Sequence, residues 1–377
     1  MGYRSYDSLP ASQPGGFLPR HYAALDLGTN NCRLMIAKRT AHGVQIVDRQ
    51  NRMVCLGEGL VETGALSAHA MERAVRTLDS YAARMKDLPS LQIRAVATEA
   101  CRRAVNRESF LSRVRSETGL SLEVISPREE VELAVEGCRT LLHREQKPGS
   151  RAIVFDIGGG STEIAWLRLS PETRGHELVG LVSLPFGVVT LSEQFGHSRL
   201  SSGKQTTTEL YRSMMDAVRE PLLAFEAIHQ IGREMRRGAV QMLGTSGTVT
   251  TLASLAQRLP RYSRHAVDGF TLSADAAHDA ISLIQNAAMK AEPPPPPLTP
   301  ERQHFMLPGC AIFEAIHSVW PAEQIIVADR GLRDGMVARM AAQSKTGRAT
   351  GSAQTGSNAM RRNNAEYRGH VASSSFM

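Results

Sequence analysis

Asp26-Leu-Gly-Thr-Asn-Asn-Cys-Arg33 and Asp156-Ile-Gly-Gly-Gly-Ser-Thr-Glu163 align without a gap, 130 residues apart in a chain of 377. Each stretch follows an apolar run that reads as a strand, His21 to Leu27 and Ala152 to Ile157. Each leads into another, Leu34 to Lys38 and Glu163 to Leu169. A strand, a polar turn and a second strand, repeated at this separation, predict two similarly folded halves facing each other across a cleft.

Working outward, Val44 to Arg49 reads as a third short strand. Residues 67–86 have a helical period, with Met71, Ala74, Val75, Leu78 and Ala82 on one face. Ile93 to Ala97 is a strand, Glu108 to Thr118 a helix, and Leu122 to Ile125 a strand feeding a helix from Pro127. Beyond the second turn come helices near 204–229, 247–258, 273–290 and 302–318. A strand, Ile325 to Ala328, and a helix from about Gly331 close the pattern. This alternation predicts α/β layers rather than a bundle or a sandwich. The run Pro293 to Pro297 excludes helix and central strand and reads as a stiff surface loop.

The second turn carries the most chemistry. Gly158, Gly159 and Gly160 remove three successive side chains right after a strand. Glycine tolerates positive φ, so the turn can be tight. Amides converging on one spot bind phosphate oxygens. Ser161 and Thr162 add hydroxyl donors. Asp156 ends the strand at the cleft, where it can hold a cation or orient water, and Glu163 can share the metal. The first copy offers Gly28, Thr29, Asn30 and Asn31 with Asp26; alone it reads equally well as an Asn-rich hairpin turn. Arg33, one strand residue beyond it, either faces the cleft or pairs with an acid. A third loop, Gly244-Thr245-Ser246-Gly247-Thr248, follows the apolar Val240 to Leu243. It suits either anion capture at a helix N-terminus or an ordinary N-cap by Ser246 or Thr248. A P-loop lysine is absent.

Ser126, Pro127 and Glu129 have the pattern of a helix start with a capping box. Glu130, one residue on, has no such structural role. It is either a solvated first-turn residue or a base for attacking water. Arg102 and Arg103 either clamp phosphate or lie on a solvated surface.

Composition is ordinary for a globular chain, with 42% hydrophobic and 21% charged residues. No apolar run approaches the length of a membrane span, and the N-terminus lacks an apolar signal core. Cys32, Cys55, Cys101, Cys138 and Cys310 are scattered, without metal spacing. They read as buried thiols of a reducing compartment, so the expected location is the cytoplasm. Of the net charge of +7, residues 344–377 carry +4 and residues 1–20 carry +1, which leaves +2 on the core. That excludes a duplex-binding footprint and any specific nucleic-acid partner, but permits a local basic pocket for a polyanion. Residues 1–20 and the basic tail 344–377 are expected to be disordered.

Taken together, Asp26-Leu-Gly-Thr-Asn-Asn, Thr98-Glu-Ala-Cys-Arg102, Ile125-Ser-Pro-Arg-Glu-Glu130, Phe155-Asp-Ile-Gly-Gly-Gly-Ser-Thr-Glu163, Gly244-Thr-Ser-Gly-Thr248 and Ala328-Asp-Arg-Gly-Leu-Arg-Asp-Gly335 resemble one family. It is the exopolyphosphatase/guanosine pentaphosphate phosphatase family of the actin-like ATPase superfamily. The resemblance runs from about Tyr22 to Met340. It implies two ribonuclease-H-like domains around a cleft: residues 21–127, joined by the helix near 332–342, and residues 128–331. It implies Mg²⁺-dependent release of orthophosphate from the end of inorganic polyphosphate, or alternatively of the 5′ γ-phosphate from guanosine pentaphosphate. On the resemblance the general base falls on Glu130 and the phosphate turns on Gly28 to Asn31 and Gly158 to Ser161. The cleft acids fall on Asp156 and Glu163, and a phosphate-binding arginine on Arg102. Relatives are often dimers, which makes a homodimer the expectation. Longer relatives carry a further helical domain, and without one a preference for shorter chains is expected. The rivals are an actin-like kinase with the same turns and an alarmone sensor that binds without turnover.

Overall fold

The computed structural model describes residues 21–142, 151–170, 172–200, 207–290 and 292–349. The expected disordered segment 1–20 and residues 350–377 of the expected tail lie outside these residues. A meander opens the chain: β1 (His21–Leu27), β2 (Asn31–Thr40) and β3 (Gly43–Met53). The helices α1 (Leu60–Thr63) and α2 (Ala68–Met85) lead to β4 (Leu91–Ala97). Then α3 (Glu99–Arg103) and α4 (Arg107–Thr118) lead to the short β5 (Glu123–Val124). After α5 (Pro127–Leu142) the meander recurs as β6 (Arg151–Ile157), β7 (Thr162–Ser170) and β8 (Gly175–Leu184). The helices α6 (Val188–Leu200), α7 (Thr207–His229) and α8 (Ile231–Arg236) precede β9 (Val240–Thr245). The chain continues through α9 (Gly247–Ala256), α10 (Arg264–Val267), β10 (Thr271–Ser273), α11 (Ala274–Met289) and α12 (Pro300–Val319). It ends with β11 (Gln324–Ala328) and α13 (Leu332–Ala349).

The two sheets have the same plan. The first runs β3-β2-β1-β4-β5, and the second, read from β8, runs β8-β7-β6-β9-β11-β10. In each, an antiparallel meander is followed by two parallel strands; β10 adds an antiparallel edge to the second. The repeat read from the sequence is therefore a repeat of folded units on either side of a cleft.

Local chemistry explains most boundaries. Ser67 caps α2 by accepting from the Ala70 amide, and Gly64 and Gly119 end α1 and α4 in left-handed conformation. Ser126 Oγ accepts from the Glu129 amide at the start of α5, as its sequence predicts. The Glu129 side chain, however, turns to Arg94 rather than back to the cap, so the box is half made. The strand from Val44 is longer than its apolar run, ending at Met53. Strand β8 was not legible: Gly175 and Gly180 interrupt it, and it is half-buried along nearly its whole length, which blurs the period of two. Helix α13 continues to Ala349.

Helices α2 and α4 cover one face of the first sheet. Its other face packs on α13 through Tyr22, Ala24, Met35 and Val96 against Met336, Val337 and Met340. Helix α5 covers the second sheet with Val131, Val135 and Cys138 against Val154 and Ala165. The two covering helices cross each other almost backbone to backbone. A Cβ at Gly335 would lie 1.9 Å from the Leu133 carbonyl oxygen, and one at Gly137 would lie 2.2 Å from that of Gly331. Gly335→Ala must push the helices apart and is expected to cost about 1–3 kcal/mol, the usual range for overpacking. Urea unfolding measures this; an unchanged midpoint would show that the crossing tolerates a methyl group.

Candidate active site

The two aligned turns have the same geometry. Gly28 N donates to Asn31 O, and Gly158 N donates to Ser161 O, both at 2.9 Å. Asp26 sits opposite Arg33 in the first strand pair, and Asp156 opposite Glu163 in the second. The tips meet across the domain boundary. A Cβ at Gly160 would lie 2.3 Å from Thr29 Oγ1, and one at Gly159 would lie 3.1 Å from Asn30 Cβ. Gly158, Gly159 and Gly160 are not among the positive-φ residues. Proximity, not left-handed backbone, is what requires glycine here, which corrects the reason drawn from sequence. The first tip is buttressed from below: Val54 N and Cys55 N donate to Asn30 O, and Gly57 N donates to Thr29 O. Thr29 is 2% exposed, and its hydroxyl has no partner.

Glu130, in the first turn of α5, enters the cleft rather than solvent. Arg102 Nη1 donates to Glu130 Oε2 at 2.7 Å and to Ile125 O at 3.0 Å, and Arg102 Nε donates to Glu99 at 3.0 Å. Arg102 thus holds both Glu130 and Glu99, and its Nη2 is buried without a hydrogen-bond partner. Arg103 is exposed. Glu99, absent from the sequence-based site, both anchors Arg102 and packs beside Gly160. Its only sequence signal was its place in the Thr98-Glu99 turn.

Burial pushes the Glu130 carboxyl well above the usual range, and Glu163 adds to this against the opposing Arg102. Burial likewise raises Asp156 to about 6, with Arg33 opposing and Asp26 reinforcing. Glu163 is raised to about 7 by burial; the Ser161 hydrogen bond opposes this, Asp156 reinforces it, and Ser183 opposes it. A pocket of about 10 Å³ touches all three acids, between the apolar walls Val131, Ala134 and Val154. That is about the room one water needs.

These groups open onto a cleft of about 630 Å³ lined by Gly28 to Asn31, Arg33, Gly158 to Ser161, Thr245 and Ser246. Gly244 does not reach it: a Cβ there would lie 2.5 Å from Phe155 Cζ, so this glycine serves sheet packing rather than phosphate contact. Thr245 is occupied in donating to Arg330 O. Ser246 makes no cap bond to α9; it sits at φ 110 with its hydroxyl buried and unpartnered. Such strain in a non-glycine residue beside a cleft is characteristic of ligand-binding positions. Arg49, Arg264, Arg330, Arg333 and Asp334 also line the cleft and were not singled out in the sequence, although Arg330, Arg333 and Asp334 lie in the last quoted motif.

Among the described residues no cluster of three or more His, Cys, Asp or Glu side chains is arranged to hold a metal. Asp156 and Glu163 nevertheless present two carboxylates on facing strand positions. That donor set fits Mg²⁺, which takes one or two carboxylates and completes its shell with water and substrate phosphates.

Because the folded pKa of Glu163 lies above its ordinary 4.5, the folded state holds the extra proton between about pH 4.5 and 7. Stability is therefore lost as pH rises through that window. In metal-free buffer Glu163→Gln is expected to stabilise the protein at pH 8 by on the order of 1–3 kcal/mol and to be near neutral at pH 4.5. Thermal melts at the two pH values test this; a gain that does not grow with pH would contradict it.

The family profile described as the Ppx/GppA phosphatase family matches residues 35–344. A Haemophilus influenzae protein provisionally named an exopolyphosphatase is 28% identical over 321 residues, covering 84% of this chain and 90% of its own. The crystal structure of the Aquifex aeolicus Ppx/GppA family member is 28% identical and superimposes with a TM-score of 0.65 over 86% of this chain and 99% of its own. An exopolyphosphatase structure from Cytophaga hutchinsonii, 20% identical, shares the fold with a TM-score of 0.73 over 86% and 98%. No helix of the described residues is long and apolar enough to cross a membrane. With a profile match spanning most of the sequence and the two-domain cleft common to these structures, the chain belongs to the Ppx/GppA phosphatase family, with the actin-like ATPase superfamily fold.

Proposed function

We propose that the protein removes the terminal phosphate of inorganic polyphosphate by hydrolysis, releasing orthophosphate. The observation that carries this is the water-sized pocket against Glu130, Asp156 and Glu163, with Glu130 held from behind by Arg102. Family membership supports a phosphoanhydride hydrolase in general, and the shared strand order supports two ribonuclease-H-like domains.

In this reading the terminal phosphate lies in the cleft beside both turns, with Thr29, Asn30 and Ser161 as donors. Glu130 orients a water and takes its proton as the water oxygen attacks phosphorus in line. The anhydride oxygen leaves with the shortened chain. Burial, which raises the Glu130 pKa above the usual carboxylate range, makes it a stronger base for this task than an exposed carboxylate. Asp156 and Glu163 would hold Mg²⁺, which when bound supplies neutralisation of phosphoryl charge. Positioning and charge neutralisation provide most of the acceleration in phosphoryl transfer.

One observation favours the guanosine pentaphosphate alternative. The same cleft is also lined by Tyr262, Phe305, Leu298 and Met306 and by Thr250, Thr251 and Ser254. Aromatic faces and hydroxyls suit a nucleoside better than a bare phosphate chain.

Glu130→Gln is expected to lower the phosphate release rate by ~10²–10⁴-fold while leaving substrate binding measurable. The assay compares long-chain polyphosphate with guanosine pentaphosphate at matched terminal-phosphate concentration, with Mg²⁺. Full activity in the variant would remove Glu130 from the role. Preference for the nucleotide would replace the polyphosphate reading, and release from neither would leave a binding protein.

A further inference from the structure

The two turns are joined a second time, behind their tips. On the side of the second turn the support is the start of α6. Val188 N donates to Gly158 O at 3.0 Å, Val189 N to Gly159 O at 2.8 Å, and Thr190 Oγ1 to Gly160 O at 3.1 Å. A Cβ at Gly187 would lie 2.4 Å from the Gly159 carbonyl carbon. The first turn of α6 and the second phosphate turn are therefore one packed unit. On the side of the first turn the support is the loop 54–59, whose amides hold Thr29 O and Asn30 O. Arg73 braces that loop from α2, donating to Val54 O at 2.9 Å and to Cys55 O at 3.2 Å.

Glu193, about one turn further along α6, links the two supports. Its Oε1 accepts from the Gly59 amide at 2.8 Å. Gly59 sits at φ 72 with nothing within 4 Å of a Cβ. Glycine is there for the direction of the backbone, not for lack of room. Glu193 Oε2 is buried without a partner. A polar oxygen shut off from water and left unpaired costs free energy. An aliphatic side chain would pack α6 on α1 without that cost, so packing alone does not account for an acid here.

We propose that Glu193 is a positioning residue for phosphate release, a strut that fixes the spacing between the two phosphate turns. It does not line the cleft. It acts through Gly59 on the loop beneath Thr29 and Asn30, and through α6 on Gly158 to Gly160. The donors assigned to the terminal phosphate come from both turns, Thr29 and Asn30 from one and Ser161 from the other. A phosphate can rest on one turn alone. In-line attack by a water at Glu130 needs both turns at a single separation. The role in turnover rests on the phosphoanhydride reading, whereas the strut itself can be measured without turnover.

The test compares the full-length protein with Glu193→Leu and Glu193→Gln. It measures phosphate release from inorganic polyphosphate with Mg²⁺, Tm, and amide hydrogen exchange at Gly59. Glu193→Leu removes the acceptor at similar volume. Its kcat should fall by about 10–100-fold, the scale of a ~1 Å misplacement at a reacting centre. KM should change less than kcat, and Tm should stay within about 5 °C of wild type, the scale of one hydrogen bond. Glu193→Gln keeps an acceptor and should recover most of the rate, because a neutral acceptor retains about half the strength of a charged one. Exchange at Gly59 should be slow in wild type and in Glu193→Gln, and fast in Glu193→Leu. A merely structural Glu193 would lower the Tm of Glu193→Leu and leave the kcat of the folded protein unchanged, which overturns the proposal. Equal loss of kcat in both variants also overturns it. So does fast exchange at Gly59 in wild type, a reading that needs no variant to fold. Slow exchange that depends on Glu193, with no phosphate release from wild type, would overturn the hydrolase reading and the role in turnover and leave the strut.

Discussion

Helices α5 and α13 can cross only because no side chain stands at Gly137 or Gly335. The layout of the cleft depends on that crossing. Each helix covers the inner face of one sheet, so bringing their backbones together brings the sheets together. The start of α5 then delivers Glu130, and the start of α13 delivers Arg333 and Asp334. The facing turn tips close under the same constraint, with Gly159 and Gly160 against Thr29 and Asn30. Small residues at two depths of one interface set how near the halves approach.

That approach crowds like charges. Asp26, Asp156, Glu163 and Glu130 converge in a largely buried space; burial is the main cause of the raised pKa values of the last three, and neighbouring acids add to it. The opposing cations are disposed unevenly. Arg102, Arg33 and Arg49 each pair with an acid, though Arg102 and Arg49 keep buried nitrogens without hydrogen-bond partners, while Arg333 makes no ion pair among the described residues. The cleft thus has an acidic floor suited to a cation and an activated water, and an arginine face suited to phosphate oxygens.

The duplicated turn, most strands and the helix over residues 68–85 were legible because they rest on local chemistry. An apolar run before a Gly/Asn/Ser turn, or a period of 3.6, needs no knowledge of distant residues. The aromatic and apolar lining of the cleft was not legible. It combines Tyr262 with residues of the proline-following segment and α12, which no sequence pattern joins. Gly244 misled because its motif looks like a phosphate loop, while its neighbour in space is Phe155.

The sequence by itself determined that there are two related halves, where their turns lie, and that Glu130 lacked a capping role. Those properties are written in nearest neighbours and short periods. Only the tertiary structure decided that Arg102 pairs with both Glu130 and Glu99 and that Glu99 packs beside the second turn. It also decided that the second turn's glycines serve close approach rather than unusual φ, and that Arg333 lines the cleft. Each of these depends on which groups are excluded from water together, and burial is a property of the packed chain rather than of any segment of it.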